Sequence, residues 1–427
     1  MILRASAHKY LATASYPVAN TFADANIEEI LQQLTDDEKI SLLGAPDWWR
    51  TNKVDRLGIP PIRMSDGPNG VRGTSNFQLS PAQCIPSATS LGATFDIELI
   101  EQTGAFLAEE AKLKGTTTLL APTCNIQRSP LGGRAFESFS EDPHLSGSIS
   151  AAYVNGLQRN GVASTIKHFV CNDSEHERTS ASSEVSSRAL REIYLYPFMI
   201  AQRDAKPFAY MTSYGRLNGV HVSENPILIG ENGILRKEWG FKGLIMSDWY
   251  GTYGLDAPVK AGLDLEMPGP PRWRTQLLMN HTLSCQKLFM SDIDKCVRNV
   301  LEFAQRLAKV SPKVVFADGV PRDTVDKPEI KAFNRKLASE GMVLLKNDGT
   351  LPLKAGQKIA VIGPNAKSRV VSGGGSAFLK PSYVVSPWEG LKNNAPAGTE
   401  LSFAVGCYCT RSVTGPMCYI GLITLTL

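Results

Sequence analysis

The stretch IEEILQQLTDDEKISLL sets Ile27, Ile30, Leu31 and Leu34, then Ile40, Leu42 and Leu43, at helical spacing, and folding is expected to begin there. After it the rhythm changes to short apolar runs, each closing on a polar or acidic residue followed by loop or turn residues. PPIRMSD ends at Asp66, TTTLLAPTCN at Asn125, ASTIKH at His168, FAYMTSY at Tyr214 and GLIMSD at Asp248. AGLDLEMPG, with Asp264 and Glu266, is a sixth. Between them, Asp96 to Gly115 and Ser186 to Ala205 are amphipathic and predict helices. Buried strands alternating with covering helices over roughly 250 residues are the pattern of a β/α barrel, with a doubly wound open sheet as the alternative. Either architecture puts reactive groups at the carboxyl ends of strands, where these runs close.

A helix from Leu301 to about Val310 is expected to end this domain, and the Pro-rich, polar segment from Lys309 to Ile330 reads as a linker. KAFNRKLASEGMVLLKND and LPLKAGQKIAVIGPNA then predict helix, short strand, turn and buried strand, the last at Lys358 to Gly363. The tail from Cys407 departs in style and has no charge after Arg411, an aggregation hazard if exposed.

Composition narrows the partners. With 427 residues, 43% hydrophobic and 20% charged, the chain has the material for a folded soluble protein and is not generally disordered. Forty-five Lys and Arg against 41 Asp and Glu leave +4, too balanced for a nucleic-acid or anionic-membrane surface, so a small neutral molecule is the expected partner. No apolar run approaches the roughly 18 residues of a membrane span. The eight cysteines lack paired CxxC spacing, which argues against a disulfide scaffold or zinc site and for mostly buried thiols. No metal cluster is evident, and GGGSA at Gly373 to Ala377 lacks the Lys-Ser/Thr of a phosphate cradle, so no cofactor is expected. The N-terminus has no continuous apolar signal core; a cytoplasmic protein is the expectation, or a secreted one if translation starts elsewhere.

Asp248 sits beside Trp249 and Tyr250 at the end of its run. It reads either as a helix N-cap or as a carboxylate nucleophile next to an aromatic platform. Sugars present apolar faces that stack on such rings and hydroxyl edges that suit carboxylate acceptors. Asp66, before a Gly-Pro turn, has the same placement; Lys167 and His168 close a third run; Arg134 follows two glycines, with Glu137 as a possible ion-pair partner.

Six motifs in order then carry a resemblance: RMSDGPNGVRG, APTCNIQRSPLGGRAFESFSEDP, IKHFVCNDSEHER, MTSYGRLNG, ENPILIGENGILRKEWGFKGLIMSDWYGTY and AGLDLEMPGPPR. From about Ile27 to about Gly406 the chain closely resembles the glycoside hydrolase family three β-glucosidases of fungal type. The resemblance implies an α/β fold, a TIM-like β/α barrel followed by an α/β sandwich domain that is incomplete here. The implied organisation is an N-terminal extension (1–24), barrel (25–310), linker (311–328), start of the sandwich (329–406) and atypical tail (407–427). It makes Asp248 the nucleophile; Asp66, Arg134, Lys167, His168 and Tyr214 the residues holding glucose; Trp249 a lining residue; and Ser376 a second-domain neighbour of the sugar. The implied reaction is retaining hydrolysis of a β-glucoside or short β-glucan oligosaccharide, with release of terminal glucose through a covalent intermediate. In the family the second carboxyl is a Glu from later in the sandwich domain, which this chain is expected to lack, so turnover should be impaired. The alternatives are a non-catalytic sugar-binding protein, or an Asp173–His176 acid/base pair like that of the family's β-N-acetylglucosaminidases.

Overall fold

The computed structural model describes residues 21–74, 79–317 and 323–407. Most of the N-terminal extension and nearly all of the tail, with Cys409 and Cys418, lie outside the described residues. The first apolar stretch forms two short helices, Ile27–Gln33 and Asp36–Leu42. Asn26 caps the first, and Thr35 with Glu38 forms a capping box on the second, satisfying amides that a helix start leaves open. Ile30, Leu31, Leu34, Ile40, Leu42 and Leu43 are all buried in one core cluster.

The apolar runs become five parallel strands, Met64–Asp66, Thr118–Leu120, Ala163–Phe169, Ala209–Thr212 and Leu244–Met246, side by side in chain order. Every residue in them is buried. The sixth run continues the ring: Met246 bridges Leu265, Glu266 bridges Gly44, and the Met64 amide donates to Trp49 O at 2.7 Å. The sheet therefore returns to its first strand. Sequential parallel order without a reversal distinguishes this barrel from a doubly wound sheet.

Helices Ile97–Leu113 and Pro143–Arg159 cover successive strands. They cross closely because glycines meet there: a Cβ on Gly156 would lie 2.1 Å from Glu101 O, and one on Gly104 2.5 Å from Tyr153 O. The single helix expected from Ser186 to Ala205 is instead broken into a turn at Ser187–Ala189, a wide turn at Leu190–Tyr194 and a helix Tyr196–Asp204. Pro197 is the cause, since it has no amide to continue the ladder. The closing helix is longer than its last turns implied, running Met290–Val310 with Ile293, Val297, Val300, Leu301, Ala304 and Leu307 buried.

The linker is fastened down. Buried Glu110 accepts from Thr324 Oγ1 (2.6 Å) and the Val325 amide (2.7 Å), while buried Lys114 donates to Asp323 O (3.0 Å) and Pro81 O (2.6 Å). Beyond it, helix Pro328–Glu340 leads to strand Lys358–Ile362, paired in parallel with Glu400–Ala404. Ile359, Val361 and Ala366 pack there with Trp388, Leu391 and Phe403. The short strand expected within GMVLLKND does not form. Met342, Val343, Leu344 and Leu345 are exposed, and a strand exists only by pairing with an edge that no described segment offers them. This second unit touches the barrel where Lys380–Pro381 pairs with Pro81–Ala82. Of the described cysteines, Cys124, Cys171 and Cys296 are buried, Cys84 is intermediate, and Cys285 and Cys407 are exposed; all are free thiols.

Candidate active site

The ring brings Asp66, Lys167, His168, Tyr214 and Asp248 together at the carboxyl ends of four strands. All five side chains are buried. Lys167 Nζ lies 3.3 Å from Asp66 Oδ1, and Arg72 stands 3.9 Å from the other oxygen. Burial pushes the Asp66 carboxyl up, and these two cations pull against it.

Asp248 caps no helix, since the next one starts at Asp256. Its Oδ1 accepts from Tyr214 OH at 2.8 Å and from the Trp249 amide at 2.6 Å. Its Oδ2 is buried and has no hydrogen-bond donor among the described residues. His168 Nε2 stands 3.4 Å from that oxygen. The same nitrogen is 3.1 Å from Arg134 Nη1, and a guanidinium can only donate, so Nε2 is an acceptor and the ring proton is on Nδ1. Burial, with Arg134, Lys167 and Arg178 nearby, holds this imidazole neutral, well below its usual pKa. His168 and Asp248 are therefore not an ion pair. One carboxylate oxygen is held in place, and the other keeps its lone pairs free.

Arg134 is organised from three sides. Nη2 donates to Glu137 at 2.6 Å and to Ser376 Oγ at 3.1 Å, so a residue of the second unit reaches this wall. Trp249 packs on Trp49 at 5.5 Å, and Tyr250 meets Trp48 edge-on at 5.9 Å, giving the flank its aromatic surface.

Several neighbours escape sequence reasoning. Arg178 lies over the Tyr214 ring at 4.5 Å and pairs with Glu175 at 2.6 Å. Asn125 ties the Lys167–His168 strand end to the following loop by bonds to His168 O (3.0 Å) and the Asn172 amide (3.2 Å). Asn125 closes its apolar run and Arg178 ends the motif IKHFVCNDSEHER, but neither residue type nor spacing gives either of them a role. The sixth run behaves differently from the others. Asp264 is bound by Arg236, Asn299 and the Ile245 amide, and Glu266 accepts from the amides of Arg272, Trp273 and Arg274, so both carboxylates hold backbone. Asp173 pairs with Arg128, while His176 is exposed, and no hydrogen bond joins the two. Among the described residues, no group of three or more His, Cys, Asp or Glu side chains is placed to hold a metal ion, and no helix is long and apolar enough to cross a membrane.

Comparison with known proteins gives the same neighbourhood. Residues 18–303 match the glycosyl hydrolase family 3 N terminal domain, and residues 342–412 match the family 3 C-terminal domain. The chain is 48% identical over 393 residues to a probable beta-glucosidase I of Neosartorya fischeri, covering 92% of this chain and 46% of that protein. It superposes on the crystal structure of beta-glucosidase from Kluyveromyces marxianus in complex with glucose with a TM-score of 0.86 at 46% identity, covering 91% of this chain and 47% of that one. For beta-glucosidase 3B from Thermotoga neapolitana in complex with glucose the TM-score is 0.78 at 36% identity, covering 88% of this chain and 55% of that one. The chain thus spans about half the length of the relatives it matches.

Proposed function

The chain belongs to glycosyl hydrolase family 3, and from that membership and the geometry around Asp248 we propose that it is the nucleophile-bearing part of a retaining β-glucosidase. Its substrate would be a β-glucoside or short β-glucan oligosaccharide carrying a terminal, non-reducing β-D-glucose. The observation carrying this reading is the asymmetry of the Asp248 carboxylate, with Oδ1 fixed by two donors and Oδ2 unencumbered. Oδ2 attacks the anomeric carbon, the leaving group departs, and water later opens the glycosyl-enzyme ester. Asp66 and Lys167 offer an acceptor and a donor to adjacent sugar hydroxyls. Arg134, His168 and Tyr214 hold the remaining polar edge, Ser376 steadies Arg134, and Trp249 lines the rim.

A retaining hydrolase also needs a carboxylic acid about 5 to 5.5 Å from the nucleophile to protonate the leaving oxygen. In the described wall Asp66 pairs with Lys167, Glu137 with Arg134 and Glu175 with Arg178. Each of these three carboxylates is tied to a cation and is not free to swing towards a leaving oxygen. The chain on its own should therefore cleave only substrates whose leaving group needs no proton, since losing general acid catalysis costs about a hundred- to ten-thousandfold.

With dinitrophenyl β-glucoside we expect a burst of phenolate equal to the enzyme present, then a stall that azide relieves. Asp248→Asn should abolish the burst, and a burst surviving that substitution would remove Asp248 as nucleophile. The same paired carboxylates also fit a second reading, a sugar-binding protein without turnover. Glucose binding without any burst would decide for it.

A further inference from the structure

The loop after the nucleophile concentrates unsatisfied polar atoms. Asp248 Oδ2, Trp249 Nε1, Thr252 Oγ1 and the Tyr253 hydroxyl are all buried without a hydrogen-bond partner, four within six consecutive residues. Buried polar groups are normally paired, and a cluster of orphans beside a reactive carboxylate is the signature of a place that a polar ligand completes. Asp248 is accounted for by attack on the sugar; Tyr253 is not.

Tyr253 is held rigidly. Its ring stacks on the His221 imidazole, with centroids 3.8 Å apart and planes at 20°. His221 is fixed in turn, because Nε2 accepts from Arg216 Nε at 3.1 Å, leaving Nδ1 to donate to Tyr214 O at 3.2 Å. Tyr214 is the residue whose hydroxyl holds Asp248. One chain of contacts thus runs from the nucleophile to the Tyr253 ring and fixes where its hydroxyl lies. Burial first, and then the Asp248 carboxyl, pushes that phenol up to about 12, so it stays protonated and able to donate.

Position separates Tyr253 from the residues proposed to hold glucose. Asp66, Lys167 and His168 are buried on the strand ends, whereas Tyr253 lies on the loop beyond Trp249, half-buried as a residue with its hydroxyl turned inward. We propose that the Tyr253 hydroxyl is a specificity-determining contact that hydrogen-bonds the sugar ring next to the terminal glucose, the ring that leaves on cleavage. This rests on the β-glucosidase reading above. A phenol that neither carries charge nor ion-pairs suits a neutral hydroxyl or ring oxygen, so the ligand class is a neutral β-linked disaccharide or longer.

The test is calorimetric titration of the full chain with glucose and with S-linked 4-thiocellobiose, which is not cleaved. Tyr253→Phe keeps the ring stacked on His221 and removes only the hydroxyl. Its thiocellobiose dissociation constant should rise roughly fivefold, the worth of one neutral hydrogen bond, while the glucose constant and the melting temperature stay put. Equal weakening of both sugars, or of neither, overturns the assignment. If the unaltered chain binds neither sugar, the β-glucosidase reading itself fails and this proposal falls with it.

Discussion

Asp248 must be an anion to attack, yet it lies where charge is disfavoured. Burial raises its carboxyl from the ordinary value of 3.8, while Arg134, Lys167, the Trp249 amide and the Tyr214 hydroxyl act in the opposite sense. An acid whose pKa is raised loses its anion at a higher pH on acidification, so the acid limb of the burst rate should lie above that of an ordinary aspartate. Tyr214→Phe removes one donor to Oδ1 and should move this limb up by about one further unit, since a hydrogen bond to a charged group is worth about 1.5–3 kcal/mol. Single-turnover rates with dinitrophenyl β-glucoside across pH measure it, and a limb unmoved in the variant would mean that the Tyr214 hydroxyl does not act on the reacting carboxylate. Asp248, Asp66, Lys167, His168 and Tyr214 are legible in the sequence because each closes an apolar run. Asp264 and Glu266 carry the same signature and serve the backbone instead, because the turn at Arg272–Arg274 aims its amides at Glu266. Arg178 and Tyr253 sit on irregular loops and His221 on the two-residue strand Val220–His221, too short for a periodicity that says which side chain turns inward.

Packing between elements depends on contacts that a hydropathy pattern does not encode. Helix Ile97–Leu113 is legible from its amphipathic pattern, but its close crossing with helix Pro143–Arg159 is not, because that depends on which residues lack a Cβ at the point of contact. Gly156→Ala would place a methyl 2.1 Å from Glu101 O, so the helices must part. Overpacking of this kind costs about 1–3 kcal/mol. Gly390 lies in helix Pro387–Asn394, where an added methyl would meet nothing within 4 Å, and there the same substitution should stabilise by about 0.5–1 kcal/mol through helix propensity. Denaturant midpoints of the two variants should therefore move in opposite directions, and a neutral Gly156→Ala would mean that the crossing is looser than its backbone spacing indicates. The same lesson covers the failed expectations. Pro197 divides a helix that amphipathicity alone made continuous, and Met342–Leu345, apolar enough for a strand, lacks an edge to join.

The molecule joins its two units through buried polar contacts as well as apolar area. Arg134 bonds Ser376 across the boundary, so the second unit helps to set a residue of the candidate site. The connection between them rests on Glu110, in the last turn of helix Ile97–Leu113, and Lys114, its C-cap, both fully buried and 3.5 Å from each other. Nothing in the sequence marks this pair: Glu110 and Lys114 read as ordinary members of a charged helix face, and only the returning segment Asp323–Val325 encloses them. Burial lowers the Lys114 pKa, and Glu110 acts to hold it up. Glu110→Gln keeps the shape and an acceptor for the Val325 amide but leaves a buried ammonium without its counter-charge. Breaking such a pair costs about 3–5 kcal/mol. The pH dependence gives the effect a specific sign. A lysine whose folded pKa is depressed below its unfolded value binds fewer protons when folded, so stability rises with pH between those two values. In the variant the depression deepens, and its deficit relative to the unaltered chain should shrink as pH climbs from 7 towards the usual lysine value of 10.5. Urea unfolding of both proteins across that range, with hydrogen exchange at the Thr324 and Val325 amides, measures the deficit and locates it. A deficit constant with pH would show that the lost interaction is packing or hydrogen bonding, and that the Lys114 charge plays no part in joining the units.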